Sequence, residues 1–414
     1  MAWTLADAEA YIASLEPIGW RFGLDRIHRL LGLLGMPQRR FASVHVVGSN
    51  GKSSVAMMAA ALLEGAGISS GAYLSPHAER WSQRVLVRGE EIEPTRFAAA
   101  VERVAAAVPA VDRTLEAGDA VTQFEAVTAA AFVSLAEAGV EAAVIEAGLG
   151  GRLDATNVLP SRVTALTSVG LEHTQWLGET EPEIAAEKLA VLGQRSTLVV
   201  GSLGSEVRVL AERIAAGRHA ELIDASAPAA IASLEGRAPY LRRNFAVARA
   251  AAEVLTGPLE EGLVEEVAGA LTVPGRMELR GGEPPLILDA AHNPDGARAL
   301  AEALPEATGG RPVVACVAVL ADKDAGAIMG ALAPALAAIV CTEVPPARLE
   351  NVGRPGARTI AASELAAAAR AAGLAEVDEV VDPVAAVERA RALAGARGGV
   401  ALVSGSHYLL RYGS

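Results

Sequence analysis

The chain holds two cysteines in 414 residues, Cys316 and Cys341, and both lie in apolar runs that read as strands. That excludes a disulfide-stapled scaffold; two buried thiols is the plainer reading, with a single bridge between them as the alternative. Aromatic residues are scarce as well, at 4%. The apolar share of 51% is instead dominated by alanine, which suits helices packed closely on sheets rather than a β-sandwich. Positive charge is in deficit, 36 Lys and Arg against 49 Asp and Glu, for a net −13. A surface that acidic repels phosphate polymers, so nucleic acid is excluded as a general partner, and an anionic substrate needs a local positive site. Met1–Ile18 does not resemble a signal peptide: it carries Asp7, Glu9 and Glu16, with no basic start and no apolar core. The apolar stretch from Ala325 is broken by Gly326, Gly330 and Pro334 and predicts a helix followed by a strand, not a membrane span. These absences predict a protein of the cytoplasm with no membrane partner.

What is present is alternation. Short apolar runs, among them Val44–Val47, Ala142–Glu146, Val163–Ser168, Thr197–Val200, Leu286–Leu288, Val313–Leu320 and Val400–Val403, alternate with alanine-rich amphipathic segments. Such alternation predicts βαβ units and an α/β fold with mostly parallel sheets flanked by helices. Arg84–Ile92 breaks the pattern and predicts a small hairpin turning at Arg88 and Gly89. Proline, glycine and charge cluster at Pro274–Pro285, which predicts one domain over 1–274 and a smaller one over 275–414.

The local positive site sits after the first strand. Gly48, Ser49, Asn50, Gly51, Lys52, Ser53 and Ser54 lie between an apolar run and a helical one. Glycines let backbone N–H groups turn inward, the helix N-terminus adds partial positive charge, Lys52 a full one, and a serine hydroxyl can reach Mg²⁺. Gly48 precedes Gly51 by three residues where the usual phosphate loop has five, so a plain strand-to-helix turn with a solvated lysine is the competing reading. Glu146 ends a strand and opens a glycine-rich loop, at the edge where open α/β sheets bind ligands, and Mg²⁺ prefers such oxygen donors. His173 follows the next strand and Ser75 a third; each taken alone also reads as a structural residue.

A series of segments from about Gly23 to Ser406 resembles, in order and spacing, the folylpolyglutamate synthase and dihydrofolate synthase branch of the Mur ligase superfamily. The loop 48–54 is similar to that family's GTNGKGS, 73–77 to YSSPH, 146–157 to EVGLGGRLDATN, 167–178 to TSIGLDHTDWLG, and 186–188 to REK. Pro274–Arg276, Asp289–Pro294, Asp322–Asp324 and Ser404–Ser406 continue the match. The resemblance implies a phosphate-loop ATP-binding domain and a Rossmann-like glutamate-ligase domain. It implies ATP and two Mg²⁺ as cofactors, with Ser54, Ser75, Glu146 and His173 as metal ligands. Lys188, by itself a surface lysine, is implied to be carbamylated and to help hold the second metal. Asn244, Arg276 and Asp289 are implied to bind nucleotide. The pterin pocket is implied at Arg21, Phe22, Gly23, Thr122, Gln123, Phe124, Glu125, Leu153, Asp154 and Ala155. His292 and Ser406 are candidates for holding glutamate. Ser53 stands where the family has glycine, Glu172 where it has aspartate, and His407 where it has an apolar residue.

The implied reaction adds L-glutamate to dihydropteroate or a reduced folate through an acyl phosphate, in a monomer whose second domain closes over the first. Lys52, Lys188, His173 and His292 are the expected catalytic set. A peptidoglycan Mur ligase is the near alternative, disfavoured because 47 residues before Gly48 leave little room for a UDP-binding domain. A P-loop kinase and a nucleotide-binding scaffold are the further ones.

Overall fold

The computed structural model describes residues 2–15, 23–77, 79–227, 230–351 and 356–413. It divides into two compact units, Met1–Ser233 with Arg243–Leu271, and Leu234–Arg242 with Thr272–Ser414. Nothing in the local composition sets Leu234–Arg242 apart, yet it belongs with the second unit. Among the described residues no helix is long and apolar enough to cross a membrane.

The first unit is built on eight strands: β1 (Ala42–Val47), β2 (Ser70–Tyr73), β3 (Val85–Val87), β4 (Glu90–Glu91), β5 (Ala142–Glu146), β6 (Val163–Leu166), β7 (Thr197–Val200) and β8 (Glu221–Asp224). Their order is β4-β3-β2-β5-β1-β6-β7-β8. From β2 to β8 neighbours pair in parallel, so the loops after β2, β5, β1 and β6 all leave the same edge. β1 lies between β5 and β6, the switch point at which such sheets bind ligands. The expected hairpin is present as β3 and β4, with Arg88 and Gly89 both at positive φ (54° and 81°), as a tight primed turn demands.

One core gathers Ile27, Leu30, Phe97, Phe132 and Tyr73, with Phe132 edge-on to Tyr73 at 6.5 Å. Each such side chain, fully buried, contributes about 1.5–3 kcal/mol. A second cluster holds Val47, Leu166, Leu189, Leu198 and Val200. The first core encloses an ion pair: Arg26, 6% exposed, donates from Nε to Glu125 at 3.0 Å and from Nη1 to Asp119 at 3.2 Å. Replacing Arg26 by methionine is expected to destabilise the protein by about 3 kcal/mol, read from the denaturant midpoint, because Glu125 then stays buried with its charge uncompensated.

The second unit carries six strands: β9 (Glu278–Arg280), β10 (Leu286–Leu288), β11 (Val313–Val317), β12 (Ala338–Cys341), β13 (Val377–Glu379) and β14 (Val400–Ser404). They order as β13-β12-β11-β14-β10-β9, parallel except for edge strand β9. Asp289 follows β10 and Ser406 follows β14, so neighbouring strands deliver both to one edge. Cys316 and Cys341 are buried free thiols that belong to separate core clusters, which settles against a bridge.

Candidate active site

Backbone geometry at the β1 loop is dictated by close approach. Gly48 has φ +150°, and a Cβ there would overlap Thr167 Oγ1. Gly51 has φ +85°, and a Cβ there would come within 2.5 Å of Asn244 Oδ1. The segment after β6 braces the loop: Thr167 Oγ1 donates to Asn50 O at 2.6 Å, and Asn50 N donates to Ser168 Oγ at 3.1 Å. Helix Lys52–Gly65 starts directly from Gly51.

Two lysines converge on one carbonyl. Lys52 Nζ donates to Gly48 O at 2.9 Å, and Lys188 Nζ donates to the same oxygen at 3.0 Å. Lys188 is 1% exposed, which corrects its reading as a surface lysine. It lies in helix Glu181–Leu189, capped by Thr180 and opened by Pro182, and its buried face puts Nζ 2.6 Å from Glu172 Oε1. Burial pushes the Lys188 ammonium below its ordinary value; Glu172 opposes the fall and Lys52 adds to it. Burial also works against the Glu172 charge, yet Lys188 and then Lys52 hold its carboxyl down at about 2. The asymmetry is physical: the carboxylate gains two cations, whereas each cation faces another.

Glu146 is 2% exposed at the end of β5. Its Oε1 accepts from Ser53 Oγ at 3.0 Å and its Oε2 from Ser75 N at 2.9 Å. Ser53 therefore supplies a bond that glycine at this place cannot. Ser54 Oγ is buried without a hydrogen-bond partner. A carboxylate and three serines, one of them with its hydroxyl orphaned, form a donor set suited to a hard cation that takes oxygen ligands. Among the described residues no group of three His, Cys, Asp or Glu side chains is poised for a metal. His173 is half-buried at φ +46° and follows Glu172, whose carboxyl it helps, after Lys188 and Lys52, to hold down.

The remaining sequence candidates separate. Arg21 and Phe22 lie outside the described residues. Gly23 stands at φ +148° in open space. Thr122 caps helix Gln123–Glu137, Gln123 Nε2 donates to Ile12 O at 3.0 Å, and Glu125 is committed to Thr122 and Arg26. Phe124, half-buried, covers Gly148 closely enough to exclude any Cβ. Asp154 accepts from Leu149 N at 2.8 Å and Thr156 N at 3.0 Å and so shapes the loop beside Phe124. Leu153 is 40% exposed and Ala155 is buried.

Thr156 extends this network into β1 through His45, a residue that its apolar strand hides from sequence reading. Thr156 Oγ1 donates to Asp154 Oδ1 at 2.5 Å, so His45 Nε2, 2.7 Å away, is the donor to Thr156 Oγ1 and the ring is neutral. Burial lowers the His45 pKa from 6.5 to about 4. Between those values the unfolded chain takes up a proton that the folded one refuses. Stability is therefore complete above pH 6.5 and falls by up to about 3 kcal/mol as pH drops toward 4. Urea midpoints measured from pH 7 to 4 are expected to show this slope, and His45→Gln, neutral throughout, to flatten it.

In the second unit Asp289, 3% exposed, accepts from Ala291 N at 2.9 Å, Met277 N at 2.9 Å and Tyr240 Oη at 2.5 Å. Burial pushes its carboxyl up, against the pull of Arg276 first and then of Tyr240 and the two amides. Arg276 Nη1 donates to Gly275 O at 3.0 Å, and its Nη2 lies 3.5 Å from His407 Nε2. The His292 and His407 rings are 5.3 Å apart, and His292 Nδ1 donates to Ala290 O at 2.8 Å. Ser406 Oγ, 2% exposed, accepts from Tyr408 N at 3.3 Å. Arg276, His292 and His407 thus gather beside Ser406 as a basic cluster.

Comparison with known proteins agrees with both units. The Mur ligase glutamate ligase domain family matches residues 275–407. The dihydrofolate synthase/folylpolyglutamate synthase of Mycobacterium tuberculosis is 33% identical over 388 residues, spanning 84% of this chain and 78% of the relative. The solved Mycobacterium tuberculosis folylpolyglutamate synthase complexed with ADP superposes with a TM-score of 0.88 at 28% identity, covering 99% of this chain and 97% of that one. A bifunctional folylpolyglutamate synthase/dihydrofolate synthase from Yersinia pestis, complexed with AMPPNP and Mn ion, gives 0.83 at 26% identity, covering 99% and 96%.

Proposed function

Because the chain belongs to the folylpolyglutamate synthase and dihydrofolate synthase family of ATP-dependent Mur-type ligases, we propose that it joins L-glutamate to dihydropteroate, a reduced folate, or both. The observation that carries this reading is Lys52 on Gly48 O at the head of helix Lys52–Gly65, beside Glu146 and the unpartnered Ser54 hydroxyl, with Lys188 Nζ buried against the same loop oxygen. A lysine on a glycine loop next to an oxygen-rich corner suits a nucleoside triphosphate and its divalent cation together.

The acceptor carboxylate attacks the γ-phosphorus of ATP, the bond to ADP breaks, and an acyl phosphate forms. The amine of glutamate then attacks the carbonyl carbon, loses a proton, and phosphate leaves. Gly51 and the start of helix Lys52–Gly65 orient the phosphates, and Lys52 exchanges its loop carbonyls for phosphate oxygens and offsets their charge. Ser54, Ser75, Glu146 and His173, with a carbamylated Lys188, would hold Mg²⁺ at two sites, where it neutralises charge on the transferring phosphoryl group. Asn244 and Arg276 contact the nucleotide, and Asp289 acts by fixing the turn that carries Arg276. Phe124 and the loop 148–155 take the pterin, and His292 with Ser406 takes glutamate. The phosphate loop falls in the proposed domain 1–274 and the glutamate cluster in 275–414. The reading is of a monomer at work in the cytoplasm.

The test is phosphate release from Mg-ATP with dihydropteroate or tetrahydrofolate, each with and without L-glutamate, followed by mass spectrometry. Glutamate-dependent release with a product heavier by one glutamyl residue is the expected result. Equal release without glutamate points to a kinase and overturns the ligase.

A further inference from the structure

Arg84 carries a buried charge that no acidic side chain answers. It ends the short helical turn Trp81–Arg84 ahead of β3, within the first unit, and is 7% exposed. Its Nε donates to His77 Nδ1 at 2.9 Å, so that nitrogen carries no proton and the His77 ring is neutral. Its guanidinium stacks over the Trp81 ring at 4.6 Å. Burial pushes the Tyr73 hydroxyl up, and the charge of Arg84 is the first influence against it. All three of these neighbours are uncharged.

The carboxylates nearby are committed elsewhere. Glu9 accepts from Trp81 N at 3.2 Å, and Glu91 pairs with Arg80 and accepts from Ser82 Oγ at 2.6 Å. Asp154 is held by Leu149 N, Thr156 N and Thr156 Oγ1. Arg84 forms no ion pair among the described residues. A buried cation with neutral partners alone is unfavourable, and arginine cannot shed its proton, so an arriving anion is what relieves it.

Position says which anion. β3 runs antiparallel to β2, and Leu74 N donates to Arg84 O at 2.8 Å. The next residue is Ser75, whose N donates to Glu146. Tyr73 in turn feels the charge of Asp154, which shapes the loop beside Phe124. Arg84 therefore borders both the corner given to phosphate and cation and the loop given to the pterin, all within the first unit.

We propose that Arg84 binds a carboxylate of the acceptor, with its Nη groups forming a fork on the carboxylate oxygens. The proposal rests on the acceptor reading above and deepens it. An acceptor held by its ring must bring its carboxylate to the γ-phosphate, and a guanidinium at that point fixes the distance and plane of the carboxylate. His77 and Trp81 aim the guanidinium.

Equilibrium binding of two ligands to the full chain tests it: dihydropteroate, and its carboxamide, which keeps the ring and the shape and loses the charge. The unaltered protein is expected to bind the acid about thirtyfold more tightly than the amide, the size of a forked bond between charged groups. In Arg84→Met the acid is expected to weaken by about thirtyfold and the amide to stay within about twofold, so the discrimination disappears. Undiminished binding of the acid in Arg84→Met overturns the proposal. An equal loss for acid and amide also overturns it, because such a residue only supports the pocket. Binding of neither ligand by the unaltered protein instead overturns the acceptor reading itself, and the proposal with it. Should Arg84→Met fail to fold, Arg84→Lys carries the test: it keeps the charge and loses the fork, and the acid alone is expected to weaken, by about tenfold.

Discussion

Alanine at position 48 is expected to cut ATP-dependent phosphate release about a thousandfold, as large an effect as any single substitution in the loop. Two costs add. A residue with a Cβ at φ +150° is strained wherever it stands, by about 1–3 kcal/mol. Here the Cβ also overlaps Thr167 Oγ1, the group that ties Asn50 O to the end of β6. The loop must shift, and Gly48 O shifts with it, carrying away the shared acceptor of Lys52 and Lys188. Displacing Lys52 from a developing phosphoryl charge costs roughly a hundredfold or more by itself. Calorimetry with ADP separates binding from turnover, and the thermal midpoint should fall by a few degrees, because the strain at this buried position is present only in the folded state. Adding Thr167→Ala removes the overlap but not the strain, so about tenfold of the loss should return. Full activity in Gly48→Ala would show that the loop does not cradle phosphate.

The parts of this architecture legible in the sequence are those whose chemistry is local. Ala142–Glu146, Thr197–Val200 and Leu286–Leu288 read as strands because both faces are buried and every residue but Thr197 at one start and Glu146 at one end is apolar. β8, β9 and β13 escaped because they lie at or next to sheet edges and carry Glu221, Asp224, Glu278, Arg280, Asp378 and Glu379, charges that break the apolar pattern. The loop of β1 was legible for the same local reason: a glycine turn between a strand and a helix has few uses. Lys188 was not, since a lone lysine on an amphipathic helix reads as solvent-facing. Its burial comes from Glu172 and Gly48, which lie 16 and 140 residues away. Tyr240 and His45 were invisible for a related reason. Each acts through a buried acceptor delivered by a distant strand or loop, and composition near either one carries no trace of it. Conversely, Thr122, Gln123 and Glu125 look like ligands in a motif, but the fold spends their polar atoms on a helix cap, a helix end and an ion pair.

Lys188 also allows the metal assignment to be tested without seeing the metal. Two states account for a fully buried lysine here: an ammonium paired with Glu172, or a carbamate that offers a carboxylate to a cation. Lys188→Arg keeps the charge and its partner but cannot be carbamylated. Lys188→Met keeps the volume and removes both, leaving Glu172 buried with one of its two cations gone, which should cost about 3–5 kcal/mol in the denaturant midpoint. The carbamate reading predicts that the arginine variant folds with near-normal stability yet loses ligase turnover about a hundredfold or more. It further predicts that the unaltered enzyme loses activity in buffer stripped of carbon dioxide and regains it with bicarbonate, and that formate restores part of the turnover of Lys188→Met. The ion-pair reading predicts the reverse order: arginine active, methionine unstable, and no response to bicarbonate or formate. The comparison is decisive because the two variants move stability and turnover in opposite proportions. An active Lys188→Arg would remove Lys188 from the metal ligands and leave Ser54, Ser75, Glu146 and His173 to hold a single cation with the phosphates.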